Sequence, residues 1–378
     1  MRARALIGAL VLQFSLGLVY VWGAMAPYAR AHDRWSPLLI GAVWSAGPLG
    51  YGAGILVAGR LADRLPPRRL CWASLAMMAA GLAVTFAIPA GLTFPVFYSG
   101  VGLGLGGGVG MAGSVAAGVQ AFPRRAGLAG GAATSAYALA ALVQVPVASG
   151  LAPEIGWVNT LRVMGSVLVV LAALALLLMP ALPIPARAAE AGSVQAPLAM
   201  LRRPLVWTAF AAELATGIVG SAAFVNLVTY ARALGVALAL ATAALTAMAV
   251  GNAVGRLAGG AAADRLGVDT VLLAVLGMNL VAVILLWQLS EANVLAAGLT
   301  AGLAFGGGAG ILPRLGARAA PGAPNSAFGL IFLGYSSGAF SGPLLMALTG
   351  LSMRSWLLMA AFPIAGFAVL AYRWRVPA

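Results

Sequence analysis

Two charged residues fall inside long apolar runs of this sequence, Arg256 and Glu213. A guanidinium and a carboxylate held away from water suggest two kinds of chemistry, binding an anion and carrying a proton. Arg256 lies in GNAVGRLAGGAAADRLG (Gly251–Gly267), eight residues before Asp264. In a helix that places it ~12 Å deeper than the polar end of its run. An arginine at such depth is costly, at least ~2.5–3.5 kcal/mol at a bilayer centre, and usually faces a cavity or a partner. Its planar fork suits a carboxylate, which it can bind through two parallel charge-assisted hydrogen bonds. The competing reading is a side chain that snorkels to the membrane face.

Glu213 is nine residues into the run that begins at Pro204, ~13 Å from the same end. The expectation is that it lies level with Arg256, serving as its counter-charge and as a proton acceptor. Protonating Glu213 would then free Arg256 for an incoming anion. A fixed ion pair, or a glutamate facing another helix, are the alternatives. Tyr20, Phe305 and Asn226 are further candidates for a binding site, set against ordinary aromatic packing.

Other chemistry finds little material. The membrane runs hold no HExxH, no Ser/His pair and no carboxylate dyad, so an intramembrane enzyme is poorly supported. No lysine occurs, which rules out a GxxxxGK[ST] phosphate loop on this chain. The one cysteine, Cys71, forms no disulfide within the chain and no multi-thiolate metal cluster. Neither a cofactor nor a metal is expected.

These residues need elements to hold them, and composition says which. The chain is 62% hydrophobic and 8% charged, against about 25% charged for soluble domains. Apolar runs of about 20 residues recur throughout, each long enough to cross a bilayer as a helix. They predict an all-α membrane protein of twelve helices at 4–28, 37–60, 69–88, 92–119, 126–150, 157–180, 204–231, 236–263, 269–289, 292–313, 325–349 and 353–374. Two domains follow, 1–180 and 204–378, joined by a polar linker at 181–203. Sixteen arginines fall in loops on one side and five on the other, with Arg256 left over. That bias marks the arginine-rich side as cytoplasmic, with both termini inside. The basic balance of +14 therefore reads as membrane flanks, with no nucleic-acid partner.

Two phrases return in the second half. GLGLGGGVG (Gly102–Gly110) is echoed by GLAFGGGAG (Gly302–Gly310), and AGRLADRL (Ala58–Leu65) by GGAAADRL (Gly259–Leu266). Repeats at nearly one offset predict two related halves. Glycines four apart form a smooth stripe that lets helices approach closely.

With those residues in view, the chain resembles the major facilitator superfamily. GRLADRLPPRR (Gly59–Arg69) is similar to that family's signature after the second helix, with Pro66 where glycine is usual. AAADRLG (Ala261–Gly267) is the second copy. GLVYVWG (Gly17–Gly23), WSPLLIGAVWS (Trp35–Ser45), FPRRAGLAGG (Phe122–Gly131) and FGLIFLGYSSGAFSGP (Phe328–Pro343) resemble the branch of oxalate/formate antiporters and monocarboxylate transporters. The resemblance implies two six-helix bundles around a central cavity with alternating access. It also implies that Arg256 holds a substrate carboxylate. Tyr335 stands where oxalate carriers have a lysine, which favours a monocarboxylate over a dianion. Asn252 stands where proton-coupled members often carry an aspartate. Asp63, Arg64, Arg68, Asp264 and Arg265 would form a cytoplasmic latch. A monomeric secondary carrier in a bacterial inner membrane is expected. An oxalate/formate-type exchanger and an exporter of amphipathic drugs or metabolites are the alternatives.

Overall fold

A backbone inside a bilayer must satisfy its own hydrogen bonds, and helices do this within a single segment. A computed structural model describes residues 2–62, 64–88, 91–182 and 201–375, and the regular structure it describes is helical throughout. Twelve helices are long and apolar enough to cross a membrane. In chain order they are α1 (Arg2–His32), α2 (Pro37–Ala62), α3 (Pro67–Ala87), α4 (Phe94–Ala121), α5 (Ala126–Ile155) and α6 (Trp157–Leu178). The second set is α7 (Pro204–Ala233), α8 (Leu238–Leu266), α9 (Val268–Trp287), α10 (Val294–Ala319), α11 (Pro324–Thr349) and α12 (Met353–Leu370). The chain forms two compact units, Met1–Val194 and Gln195–Ala378. Most of the 181–203 linker lies outside the described residues, as does Asp63.

Helix ends fall within a few residues of expectation except in α10, which continues six residues past Pro313. Proline forfeits one backbone hydrogen bond and strains the preceding turn. The extra turns are tied down from outside, because Arg314 pairs with Asp264 of α8 and Arg318 with Asp269 of α9. In the first unit, α1 tightens to a 3-10 turn over Gly17–Val21. Beyond that turn, Trp22 is buried among Trp35, Phe94 and Trp157, and its Nε1 donates to Ile40 O at 3.2 Å. Trp22 is therefore a packing residue.

Small residues set how closely the helices approach. In the second unit, Gly302, Gly306 and Gly310 of α10 lie against the backbones of Met248, Asn252 and Arg256 of α8. Gly251, Gly255 and Gly259 return the contact against Leu299, Leu303 and Gly307. Without a hydrophobic force between helices in lipid, such backbone contact is the main source of association. The first unit repeats the arrangement between α2 and α4. Gly50 and Gly54, 201 residues before Gly251 and Gly255, face α4, while Gly104 and Gly108 face Gly47 and Tyr51 of α2.

This geometry corrects the pairing suggested by the glycine echo. The counterparts of Gly302 and Gly306 are Gly104 and Gly108, not Gly102 and Gly106, which face α3 instead. Half of this two-position shift comes from a π-helical stretch, Phe94–Leu105, at the start of α4. At Gly50 the facing groups are Gly100 O and Leu105 N, five residues apart; at Gly251 they are Leu299 O and Leu303 N, four apart. One extra residue in α4 thus supplies one of the two positions by which the stripe is displaced. A π-helix is the ordinary way to absorb a single insertion.

A Cβ at Gly306 has no room beside Asn252 O, whereas one at Gly150 meets nothing within 4 Å. Gly306→Ala should destabilise the protein by about 1–3 kcal/mol through overpacking, read as a lowered unfolding temperature in detergent. Gly150→Ala should leave that temperature unchanged or slightly raised.

Candidate functional site

Helix α8 carries Arg256 on an uninterrupted helix that ends at Leu266. The residue is 4% exposed, so it does not snorkel into solvent. Its Nε donates to Asn252 Oδ1 at 2.8 Å. Asn252, itself buried, is one turn back on the same face. The amide thereby fixes the plane of the guanidinium, which is what a fork-like anion contact requires.

On the neighbouring helices an aromatic wall is built from Phe305 and Tyr335. Their rings stack with centroids 5.0 Å apart, and Tyr335 OH donates to Phe305 O at 3.3 Å. Phe332 packs on Tyr335 at 5.4 Å. Gly220 of α7 makes space for the Phe305 ring. Asn226, six residues further along α7, donates to Ala222 O of its own helix at 2.9 Å, a local use of its amide.

Glu213 is fully buried, but it does not answer Arg256. A Cβ at Gly308 would sit 2.9 Å from Glu213 Oε2, so the carboxylate presses on α10 at that glycine. Gly306 and Gly310 face α8, and Gly308, two residues from each, points to the opposite side of the helix. Glu213 and the α8 backbone at Arg256 therefore lie on opposite sides of α10. Neither carboxylate oxygen has a hydrogen-bond partner, so the expected pairing of the two charges is absent here. The correction has a simple origin: equal depth on adjacent helices says nothing about which way a side chain turns.

In the first unit Tyr20 packs edge-on against Tyr137, centroids 5.2 Å apart, and Tyr51 lies 5.4 Å from the same ring. Gly17 approaches Tyr137 O as Gly217 approaches Tyr335 O. Tyr137 is thus the internal counterpart of Tyr335, and Tyr51 that of Asn252. The sequence reading named neither Tyr137 nor Tyr51. Aligning the two halves helix by helix, with the α4 insertion allowed, would have found both.

At the arginine-rich ends, Arg314 Nε donates to Asp264 Oδ1 at 2.7 Å. Arg265, named with Asp264 in the expected latch, is exposed. Arg314 comes from the neighbouring α10, one residue beyond the helix end expected at 313. Arg68 donates to Leu176 O and Leu177 O at 3.4 Å, neutralising the negative end of α6. Arg64 is exposed.

A family model described as Major Facilitator Superfamily matches residues 5–343. The chain belongs to that superfamily. It is accordingly an integral membrane transporter of the secondary type. Two solved structures are similar to it. One is a major facilitator superfamily transporter, FucP, in the outward conformation, with a TM-score of 0.77 and 17% identity over 98% of this chain and 99% of that one. The other is a variant of the E. coli fucose:proton symporter FucP, with a TM-score of 0.74 and 17% identity over 98% of each chain. Identity that low shows the shared fold. No curated protein sequence matches the chain.

The ion pair between α8 and α10 is partly buried, with Asp264 12% and Arg314 34% exposed. A double-mutant cycle on Asp264→Asn and Arg314→Gln should return a coupling of about 0.5–1 kcal/mol by thermal unfolding. The same cycle with Arg265→Gln should return none.

Proposed function

We propose that this transporter carries a small organic carboxylate, a monocarboxylate, by alternating access, coupled to protons through Glu213. The observation that supports the cargo is the buried guanidinium of Arg256, oriented by Asn252 inside a helix bundle. A neutral substrate gives no reason to keep an arginine there, and a cationic one would be repelled. Tyr335, with Phe305, offers a phenol and an aromatic face for the remainder of a monoanion, where a second cation would suit a dianion. Within the first unit, Tyr20 with Tyr137 and Tyr51 offers a cluster of phenols that would also contact substrate. The arginine bias of the loops supports an orientation with both termini in the cytoplasm, in the inner membrane of a bacterium, with the carrier acting as a monomer.

Coupling to protons rests on Glu213, the one buried carboxylic acid among the described residues. Its separation from Arg256 changes the proposed route. The proton acts through the packing of α7 on α10, because the two charges do not touch.

The cargo is tested by a thermal-shift series with lactate, pyruvate, oxalate and a neutral sugar, followed by uptake of labelled lactate or pyruvate into liposomes. Ligands stabilise the folded state by mass action, so the monocarboxylates should raise the unfolding temperature of wild type. Hydrogen bonds to a charged group are worth about 1.5–3 kcal/mol, so Arg256→Ala should weaken binding roughly 10- to 150-fold. Stabilisation by the sugar alone, or equal shifts in Arg256→Ala, would remove the proposal. Glu213→Gln should keep substrate exchange and lose uptake driven by an acid exterior.

A further inference from the structure

Glu213 is linked through Thr216, one turn along α7, to a second buried group whose hydrogen bonding is incomplete. Asn279 of α9 is fully buried, and its Oδ1 has no partner. Its Nδ2 is engaged, donating to Thr216 Oγ1 at 3.3 Å and Val275 O at 3.1 Å. Thr216 is one turn beyond Glu213 on α7 and donates to Ala212 O at 3.0 Å. A Cβ at Gly308 would lie 2.9 Å from Glu213 Oε2 and 2.7 Å from Thr216 Cγ2. Carboxylate, hydroxyl and amide thus gather where α10 has no side chain.

An ionised carboxylate and an amide oxygen are both acceptors only. With no donor to either, three buried oxygens are left unsatisfied, a costly arrangement in a low dielectric. A single proton on Glu213 turns one of the acceptors into a donor. We propose that Asn279 is the positioning residue for that proton: the O–H of protonated Glu213 donates to Asn279 Oδ1. The inference rests on Glu213 being the coupling acid of the carrier proposed above.

The ionised form needs the opposite arrangement. When the proton leaves for water, the Asn279 amide turns over. Nδ2 then donates to the carboxylate, and the Thr216 hydroxyl leaves Ala212 O to donate to Oδ1. The bond from Nδ2 to Val275 O breaks in the same step. Loading and unloading the proton therefore exchanges the hydrogen bonds between α7 and α9, on the side of α10 away from Arg256. Among the described residues, Arg256 is the only other buried charge in the helices around Glu213. Asp264, Asp269, Arg314 and Arg318 are at helix ends, and Tyr335 of α11 is bonded to Phe305. None of these donates to Glu213 or to Asn279 Oδ1.

Infrared difference spectra of the purified full-length protein in lipid, recorded across pH, test this without any substrate. Wild type should show the carbonyl stretch of a protonated carboxylic acid, and Glu213→Gln should lack it. Asn279→Leu should keep the band and move it to higher wavenumber, since an acid that donates no hydrogen bond has a stiffer carbonyl. Asn279→Ala should do the same and serves if the leucine variant does not fold. A band unmoved by both substitutions would overturn the proposal. So would a wild-type spectrum with Glu213 ionised at every pH, or one whose carboxylate bands respond to sodium ions. Failure of carboxylate uptake leaves these spectra unaffected, and an unmoved band leaves the cargo reading in place.

Discussion

Close contact of backbone on backbone between α8 and α10 is the constraint from which the rest of the second unit follows. Glycines on both helices face carbonyl groups of the other at spacings of four, so neither helix can rotate or slide without a clash. Arg256 and Asn252 lie in that seam by their main chains. Their side chains are aimed by a framework that does not depend on the side chains themselves. That is how a membrane protein holds a charge at depth: the energy comes from packing of small residues around it, and the charge is carried as a cost.

The same seam explains why the two buried charges stay apart. Helix α10 stands between them, and its lack of side chains at alternating positions lets α8 approach on one side and Glu213 on the other. An acid and a base separated by a helix cannot simply neutralise each other. Asn252 attends the guanidinium, while the carboxylate sits among α7 and α10 without a hydrogen-bond partner. On the reading proposed above, anion and proton would then be bound on different sides of α10.

Much of this was legible in the residues. Hydropathy and arginine placement gave twelve helices with ends nearly as observed, because lipid leaves the backbone few choices. The burial of Arg256 followed from its distance to Asp264. What escaped was lateral: which way Glu213 turns, that the arginine meeting Asp264 is Arg314, and that Tyr137 matches Tyr335. Depth can be counted along one helix, but facing depends on the rotation of two. The last turns of α10 were missed as well, because Arg314 and Arg318 tie them to α8 and α9 beyond Pro313. The resemblance to carboxylate carriers named Arg256, Asn252 and Tyr335 together. It could not have supplied Asn279, which matters only because of where α9 sits.

The π-helical start of α4 leaves the two halves unequal. The contacts of α2 and α8 keep constant spacing, yet beyond Leu105 the fourth helix is out of step with the tenth by one position. One residue more in α4 than in α10 accounts for it. The halves are therefore not interchangeable parts: a chimera in which α10 replaced α4 would rotate every following side chain by about 100° and present the wrong face to both neighbours.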